Sequence, residues 1–515
     1  MLKKCIGLVL AFAIVISAVA LVSCGKTEDT NDKNDGILGE EDKILSPAFG
    51  GDKLNFENED FLVMTKNDHT ANNSWNVVDL VVDENLGDDT IVDAVKKRND
   101  HIATAFNVNI QRIQSTALLS DAQLAIQKQD YSYDSFMICI RDALTLALTG
   151  AMMDYSEEDY IDLSGEWWDQ GVVENMTMLG GQYLALGDIN TIDDDATWCV
   201  LYNKVLLDAY GYTPEALYSK VYEGDGKVGG FTTEYLTLVA KNAYKQDPNA
   251  TNKWENSYVG SGTYGLFLQK EVAIALLQGS GNTPTKVDNS MAGVSPMVFE
   301  ESFANAIDLI FDFMGNKATA DWYLVLDNIS DGTDDKWANS VRPAFMADKV
   351  AFYITPFDTI HHFRDMKSDF GILPLPKISD DQLDYGTTIQ YGNATCYVTP
   401  YRVDEYLNEK SAYVLEALCY YSSPEYLGEE CLKYAHYTLT LQAKGTRDDA
   451  SWEMMDFILK NRVFDIACAL NLSGINTIVQ DGSVFAYNNW ISERDAKLSN
   501  MASDLGKKFE ILAKG

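Results

Sequence analysis

The stretch "DFLVMTKN", residues 60 to 67, is a short apolar run that ends in a polar loop, the pattern of a buried strand. After it, Thr90 caps a segment in which Ile91, Val95, Ile102 and Phe106 recur near one face, which predicts a helix. "NVNIQRI" then reads as a strand, "SDAQLAIQKQ" as a helix and "YDSFMICI" as a third strand. Strands alternating with helices in this way predict a parallel α/β sheet. Ligands of such sheets sit beyond the carboxyl ends of the strands, which directs attention to the loops beginning at Asn67 and Arg141. Further on, "TYGLFLQKEVAIALLQGSG", "ESFANAIDLIFDFMGN", "SAYVLEALCYYSS" and "RDAKLSNMASDLGKKFEIL" are helix-dominated, and no internal repeat is visible.

The amino end follows a different pattern. Lys3 and Lys4 precede an apolar run from Ile6 to Val22, a basic segment followed by a hydrophobic one. By length alone this is either a signal peptide or a single transmembrane helix. Leu21-Val22-Ser23-Cys24 resembles the lipobox of bacterial lipoproteins. The resemblance implies a lipoprotein signal peptide over residues 1–23, acylation of the Cys24 thiol, and a lipid anchor at the outer face of the bacterial cytoplasmic membrane. Two or three acyl chains, at about 0.8 kcal/mol per buried methylene, hold a protein firmly. An ordinary transmembrane anchor with a chance cysteine at its end is the alternative. Residues 24–53 are rich in Asp, Asn, Glu, Lys and Gly, which predicts a flexible tether.

The chain has 515 residues, too many for one hydrophobic core and natural for two large domains. Its net charge of −37 repels phosphate backbones and argues against nucleic-acid binding. Cys139, Cys199, Cys396, Cys419, Cys431 and Cys468 all lie in apolar or aromatic surroundings without a CxxC pair, so they read as buried free thiols. One or two disulfides remain open as the alternative. His69, His101, His361, His362 and His436 show no paired ligand spacing, so neither a metal nor a cofactor is predicted. "DINTIDDDATW" and "SDGTDDKW" are acidic but lack the regular positions of a calcium loop, and read as solvated loops. No nucleophile elbow, phosphate-binding loop or dinucleotide fingerprint occurs, and "GDGKVGG" reads as a turn. A glycosidase pair of carboxylates, about 5 to 10 Å apart, stays open among 77 acidic residues.

"GGQYLALGD" with "TWCVLYNKVLLDAYG", and later "RPAFMADKVAFYITPFDTIHHFRDMKSDFGILPLPK", resemble the family 1 extracellular solute-binding proteins in content, order and separation. The likeness runs from about Leu54 to the carboxyl end. It implies an α/β, two-lobed clamp of the type II periplasmic-binding-protein kind, each lobe a sheet flanked by helices, joined by a multi-segment hinge. On that frame the N-terminal lobe takes residues 54–190 plus 357–400 and the C-terminal lobe 196–354 plus 405–515, with crossings near 188–197, 354–358 and 399–405. The implied function is capture of a sugar or oligosaccharide by hinge closure and delivery to the transmembrane subunits of an ABC permease, without covalent chemistry. The protein would be a monomer that meets the membrane only through its lipid. A surface-anchored glycan hydrolase or carbohydrate adhesin is the alternative.

Aromatic residues make up 11% of the chain, and Trp75, Trp198, Phe357 and Tyr391 fall where the clamp would place inter-lobe loops. Flat rings suit the apolar faces of sugars, and carboxylates, amides and guanidinium groups suit their hydroxyls. Phe357 stands where many relatives carry Trp. The polar candidates are Asn67, Asp68, Arg141, Asp142, Asp188, Asp358 and Asn393.

Overall fold

A computed structural model describes residues 45–507 apart from 67–78, 82–88, 179, 224–226, 250–260, 289–292, 299, 316–320, 329–331, 333–334, 439–447, 486–495, 502 and 506. In chain order the strands of the two main sheets are β1 (Glu59–Lys66), β2 (Val108–Ser115), β3 (Ser135–Cys139), β4 (Trp198–Asn203), β5 (Tyr264–Leu268), β6 (Tyr323–Val325), β7 (Val350–Pro356), β8 (Phe370–Leu373) and β9 (Thr395–Val398). The helices that position the site are α1 (Asp89–Phe106), α2 (Leu118–Lys128), α3 (Ile140–Ala147), α4 (Ile192–Asp195), α5 (Val272–Gly279), α6 (Glu405–Tyr420), α7 (Leu432–Tyr434), α8 (Asp449–Lys460) and α9 (Ile475–Phe485).

The first sheet has the order β9-β3-β1-β2, parallel except for β9. Its β1-α1-β2-α2-β3 course follows the alternation of apolar runs and periodic segments in the sequence. Ile91, Val95, Ile102 and Phe106 of α1 are all buried, as their spacing predicts. The second sheet has the order β6-β5-β7-β4-β8, with β4 antiparallel to both its neighbours. Every side chain of β4 and β7 is buried, the signature of strands in the middle of a sheet covered on both faces. One large apolar core runs through both sheets, and a second lies between the first sheet, α1 and α6.

The lobe boundaries differ from those expected. Phe370–Leu373, expected in the N-terminal lobe, pairs with β4 in the second sheet. Helix α6, expected in the C-terminal lobe, packs Ala412, Tyr413, Leu415 and Leu418 against Phe61 and Phe106 in the first. The chain crosses from the first sheet to the second through α4. It returns between β8 and β9, and passes over again between α7 and α8. Neither 354–358 nor 399–405 is a crossing: β7 leads through the 3-10 turn Phe357–Phe363 into β8 of the same sheet, and β9 leads into α6 on the first. An apolar run announces a strand but not its partner, and here β4 provides a free edge to β8 before the chain turns back.

The end of the expected tether, from Leu45 to Lys53, is folded instead, and its residues 24–44 lie outside the described residues. Pro47–Phe49 forms a single turn whose Ser46 side chain accepts the Ala48 N–H. Phe49 is buried, stacked on Tyr413 with ring centroids 3.7 Å apart and edge-on to Phe106 at 5.9 Å. Residues from Leu45 onward therefore belong to the folded body. The six cysteines named above are free thiols, which closes the disulfide alternative for them.

Glu416 on α6 is buried beneath this turn. Ser46 Oγ donates to it at 2.6 Å, Trp168 Nε1 at 2.9 Å and the Asp162 N–H at 3.4 Å. Burial outweighs these donors and pushes its carboxyl from an ordinary 4.5 up to about 7. A folded-state value above the unfolded one means that the folded chain holds the extra proton. The associated stability is full below 4.5 and is lost as pH rises through about 7. Urea melts across this range should show wild type losing about 3 kcal/mol more than Glu416→Gln as pH rises; equal slopes would place Glu416 in contact with water.

Candidate functional site

Two adjoining hollows share Arg141, Gly392 and Asn393. The larger, of about 440 Å³, is lined from the first lobe by Arg141, from the returning crossing by Thr388 to Asn393, and from the second lobe by Trp198, Gln269, Glu271, Asn476 and Gln480 among others. The smaller, of about 340 Å³, lies at the carboxyl ends of β1 and β3, against Lys66, Leu118, Cys139, Arg141 and Asp142.

Arg141 opens α3 directly after β3. Its backbone N–H donates to the Tyr391 carbonyl at 3.2 Å, while Nε donates to Asp142 Oδ1 at 3.2 Å and the side chain remains 53% exposed. Gly392 of the crossing passes beneath the guanidinium, where a Cβ would lie at ordinary contact distance, 3.4 Å from Nη1. Asn393 Nδ2 donates to Gln390 Oε1 at 2.6 Å. Tyr391 is nearly buried, and its hydroxyl donates to Gln278 Oε1 of α5 at 2.6 Å and accepts the Asp465 N–H at 2.9 Å. That hydroxyl ties the crossing to the second lobe.

Across the hollow, Gln269 and Glu271 follow β5 immediately, and Asn476 lies in the first turn of α9. Glu271 Oε2 and Asn476 Oδ1 are buried atoms with no hydrogen-bond partner among the described residues. Burial, then the nearby Asp327, raise the Glu271 carboxyl above its ordinary value. The lining is thus rich in amides and charged groups, with rings only at Trp198 and Tyr391.

Of the residues expected at the site, Trp198, Arg141, Tyr391 and Asn393 line the larger hollow, and Arg141, Asp142 and Asn393 the smaller. Trp198 is 2% exposed and only edges the space: its backbone N–H donates to the Thr388 carbonyl at 3.1 Å and its ring belongs to the core. Phe357, Asp358 and Asp188 line neither hollow. Phe357 is fully buried among apolar side chains, because the turn after β7 points its ring into the second lobe's core rather than toward a crossing. Asp358 is buried beside Thr359, whose Oγ donates to it at 3.3 Å. Asp188 accepts from Lys433 Nζ at 2.6 Å. Asn67, Asp68, Trp75 and Cys24 lie outside the described residues. Gln269, Glu271, Asn476 and Gln480 went unforeseen, although the strand-end rule that singles out Arg141 applies equally to Gln269 after β5.

The acidic stretch around α4 is buried rather than solvated: Asp188, Asp193 and Asp195 are each at most 9% exposed. Arg462 Nη1 donates to Asp193 and Asp194, each at 3.0 Å, and Nη2 to Asp169 at 2.6 Å. Asp195 Oδ1 accepts from His361 Nε2 at 3.1 Å and His436 Nε2 at 3.2 Å. Burial alone would raise Asp195, but these two imidazoles hold it well below the usual carboxylate range. Burial alone would lower His436; Asp195 instead lifts it to about 9.

Solved structures share this arrangement of two sheets about a cleft. A sugar transporter from Rhizobium etli, in an open conformation, is 14% identical, with 87% of this chain and 99% of that one aligned at a TM-score of 0.53. The sugar-binding protein MalE of Xanthomonas citri is 12% identical over 88% and 98% of the two chains, with a TM-score of 0.51. The chain has their two-lobed fold. The cyclic alpha-maltosyl-1,6-maltose binding protein of Arthrobacter globiformis adds a third case of this fold, 12% identical over 88% and 99%, at 0.51. No protein-family model and no curated protein matches the sequence. In the two-lobed fold the larger hollow, lined from both lobes, occupies the space between them.

Because the Trp198 ring is packed and the Arg141 guanidinium is exposed, their truncations should separate. Trp198→Ala should cost about 3 to 5 kcal/mol in urea melts, and Arg141→Ala no more than about 0.5 kcal/mol. Near-equal losses would contradict these placements.

Proposed function

We propose that this chain is the binding component of an ABC importer and captures a sugar or oligosaccharide between its lobes. The observation that carries this reading is the larger hollow, which draws Arg141 from one lobe and Gln269, Glu271 and Asn476 from the other. Amide side chains both donate and accept, as a hydroxyl-rich ligand requires. A ligand that touches both linings gains most when the lobes are close. It therefore shifts the open and closed populations by its differential affinity, and no bond is made or broken. The neighbours named for sugars and for a cyclic maltosyl-maltose support a carbohydrate as the ligand. The proposal includes Cys24 as the acylated residue, a lipid anchor at the outer membrane face, action as a monomer, and delivery to permease transmembrane subunits.

A panel of linear and cyclic gluco-oligosaccharides, screened by thermal shift, should contain a ligand that at a hundredfold excess over Kd stabilises the chain by about 2.7 kcal/mol. Arg141→Ala should then lose about 1.5 to 3 kcal/mol of binding, as for a hydrogen bond to a charged group. Binding by wild type and Arg141→Ala alike would place the ligand elsewhere. For the anchor, mass spectrometry of the membrane-extracted chain should find lipid on Cys24, and Cys24→Ala should release the protein or leave it unprocessed. A mature chain starting elsewhere without lipid would reject the anchor alone.

A further inference from the structure

One carboxylate oxygen of Asp195 and one ring nitrogen from each of His361 and His436 all lie within 4.8 Å of one another, and the two Nε2 atoms are 3.1 and 3.2 Å from the same Asp195 oxygen. We propose that these three residues form a binding site for one zinc-type transition-metal dication, placed at the hinge. Zinc bonds to imidazole nitrogen and carboxylate oxygen are about 2.0 to 2.2 Å, so neighbouring donors of a tetrahedral site stand about 3.3 Å apart. The two nitrogen-to-oxygen separations already match that spacing. The donor set, two imidazoles and one carboxylate, leaves a fourth position for water and selects for zinc, cobalt or nickel over the hard cations calcium and magnesium.

The surrounding charge favours a dication. Asp169, Asp193, Asp194 and Asp195 gather around α4, and the only guanidinium bonded to them among the described residues is that of Arg462, which serves Asp169, Asp193 and Asp194. Asp195 is left to the two imidazoles. The site's placement also gives it a role. Asp195 belongs to the crossing helix α4, and His361 to the turn after β7 in the second lobe. His436 follows α7, which packs on α1 of the first through Leu432 against Ile91 and Val95. A bound ion joins both lobes to the crossing between them. No sequence spacing announces it, because the ligands come from separate segments that only the fold assembles.

The test is titration of the chelator-treated full chain with zinc near neutral pH by calorimetry, and with cobalt by visible absorption. Saturation at one ion per chain, with the visible band of a four-coordinate cobalt site and no competition from calcium, is expected. The His361 ring is partly exposed, so His361→Ala should fold and weaken zinc binding more than about a hundredfold, since loss of an outer-shell partner already costs 10- to 100-fold. His436→Ala, if it folds, should do the same. Equal zinc affinity in wild type and His361→Ala, or no saturable uptake by wild type, would overturn the site and leave only an ion pair. Either result is independent of sugar binding.

Discussion

The first crossing between the lobes is buried, and it is Arg462 that allows three carboxylates to sit there together. Its guanidinium fork donates to Asp193 and Asp194 of the crossing from one arm and to Asp169 of the first lobe from the other. Without that cation Asp193 and Asp194 would have to face water, and α4 could not lie between the sheets as it does. Buried ion pairs are poor net stabilisers compared with apolar packing, but removal of one partner leaves a stranded charge. What Arg462 provides is therefore definition: one residue of the second lobe fixes where the first lobe's chain must leave.

Around that fixed point, the site follows from strand geometry. β3 ends at Cys139, β5 ends at Leu268, and the returning crossing runs between their carboxyl ends. The polar residues that come next along the chain, Arg141 on one side and Gln269 and Glu271 on the other, are delivered to the same space. Tyr391 and Gln278 hold the crossing against α5, so the floor of the hollow is part of the second lobe's packing rather than a loose loop.

Local order was legible where the pattern is local. The period of α1 and the apolar runs of β1 to β3 announce the parallel sheet, and the strand-end rule points to Arg141, which lines both hollows. Pairing between distant segments was not legible. "DFGILPLPK" is plainly a strand, yet nothing in it says that β4 is its neighbour, and α6 carries apolar residues on nearly all sides, so it names no lobe. Phe357 shows a related limit, since an aromatic residue at a strand end serves a core as well as a ligand. The acids of α4 were misjudged for the same reason: their partners Arg462, His361 and His436 are remote in sequence. Charge density in a window reports solvation only when no counter-charge arrives from elsewhere.

The docked turn at Pro47–Phe49 has a mechanical consequence. Phe49 is clasped by Tyr413 and Phe106, and Ser46 by Glu416, all of them residues of the first lobe. Any pull transmitted along the chain from the residues before Leu45 is thus taken up by that lobe before it can reach the hinge. The start of the folded chain is therefore fastened to the first lobe and moves with it.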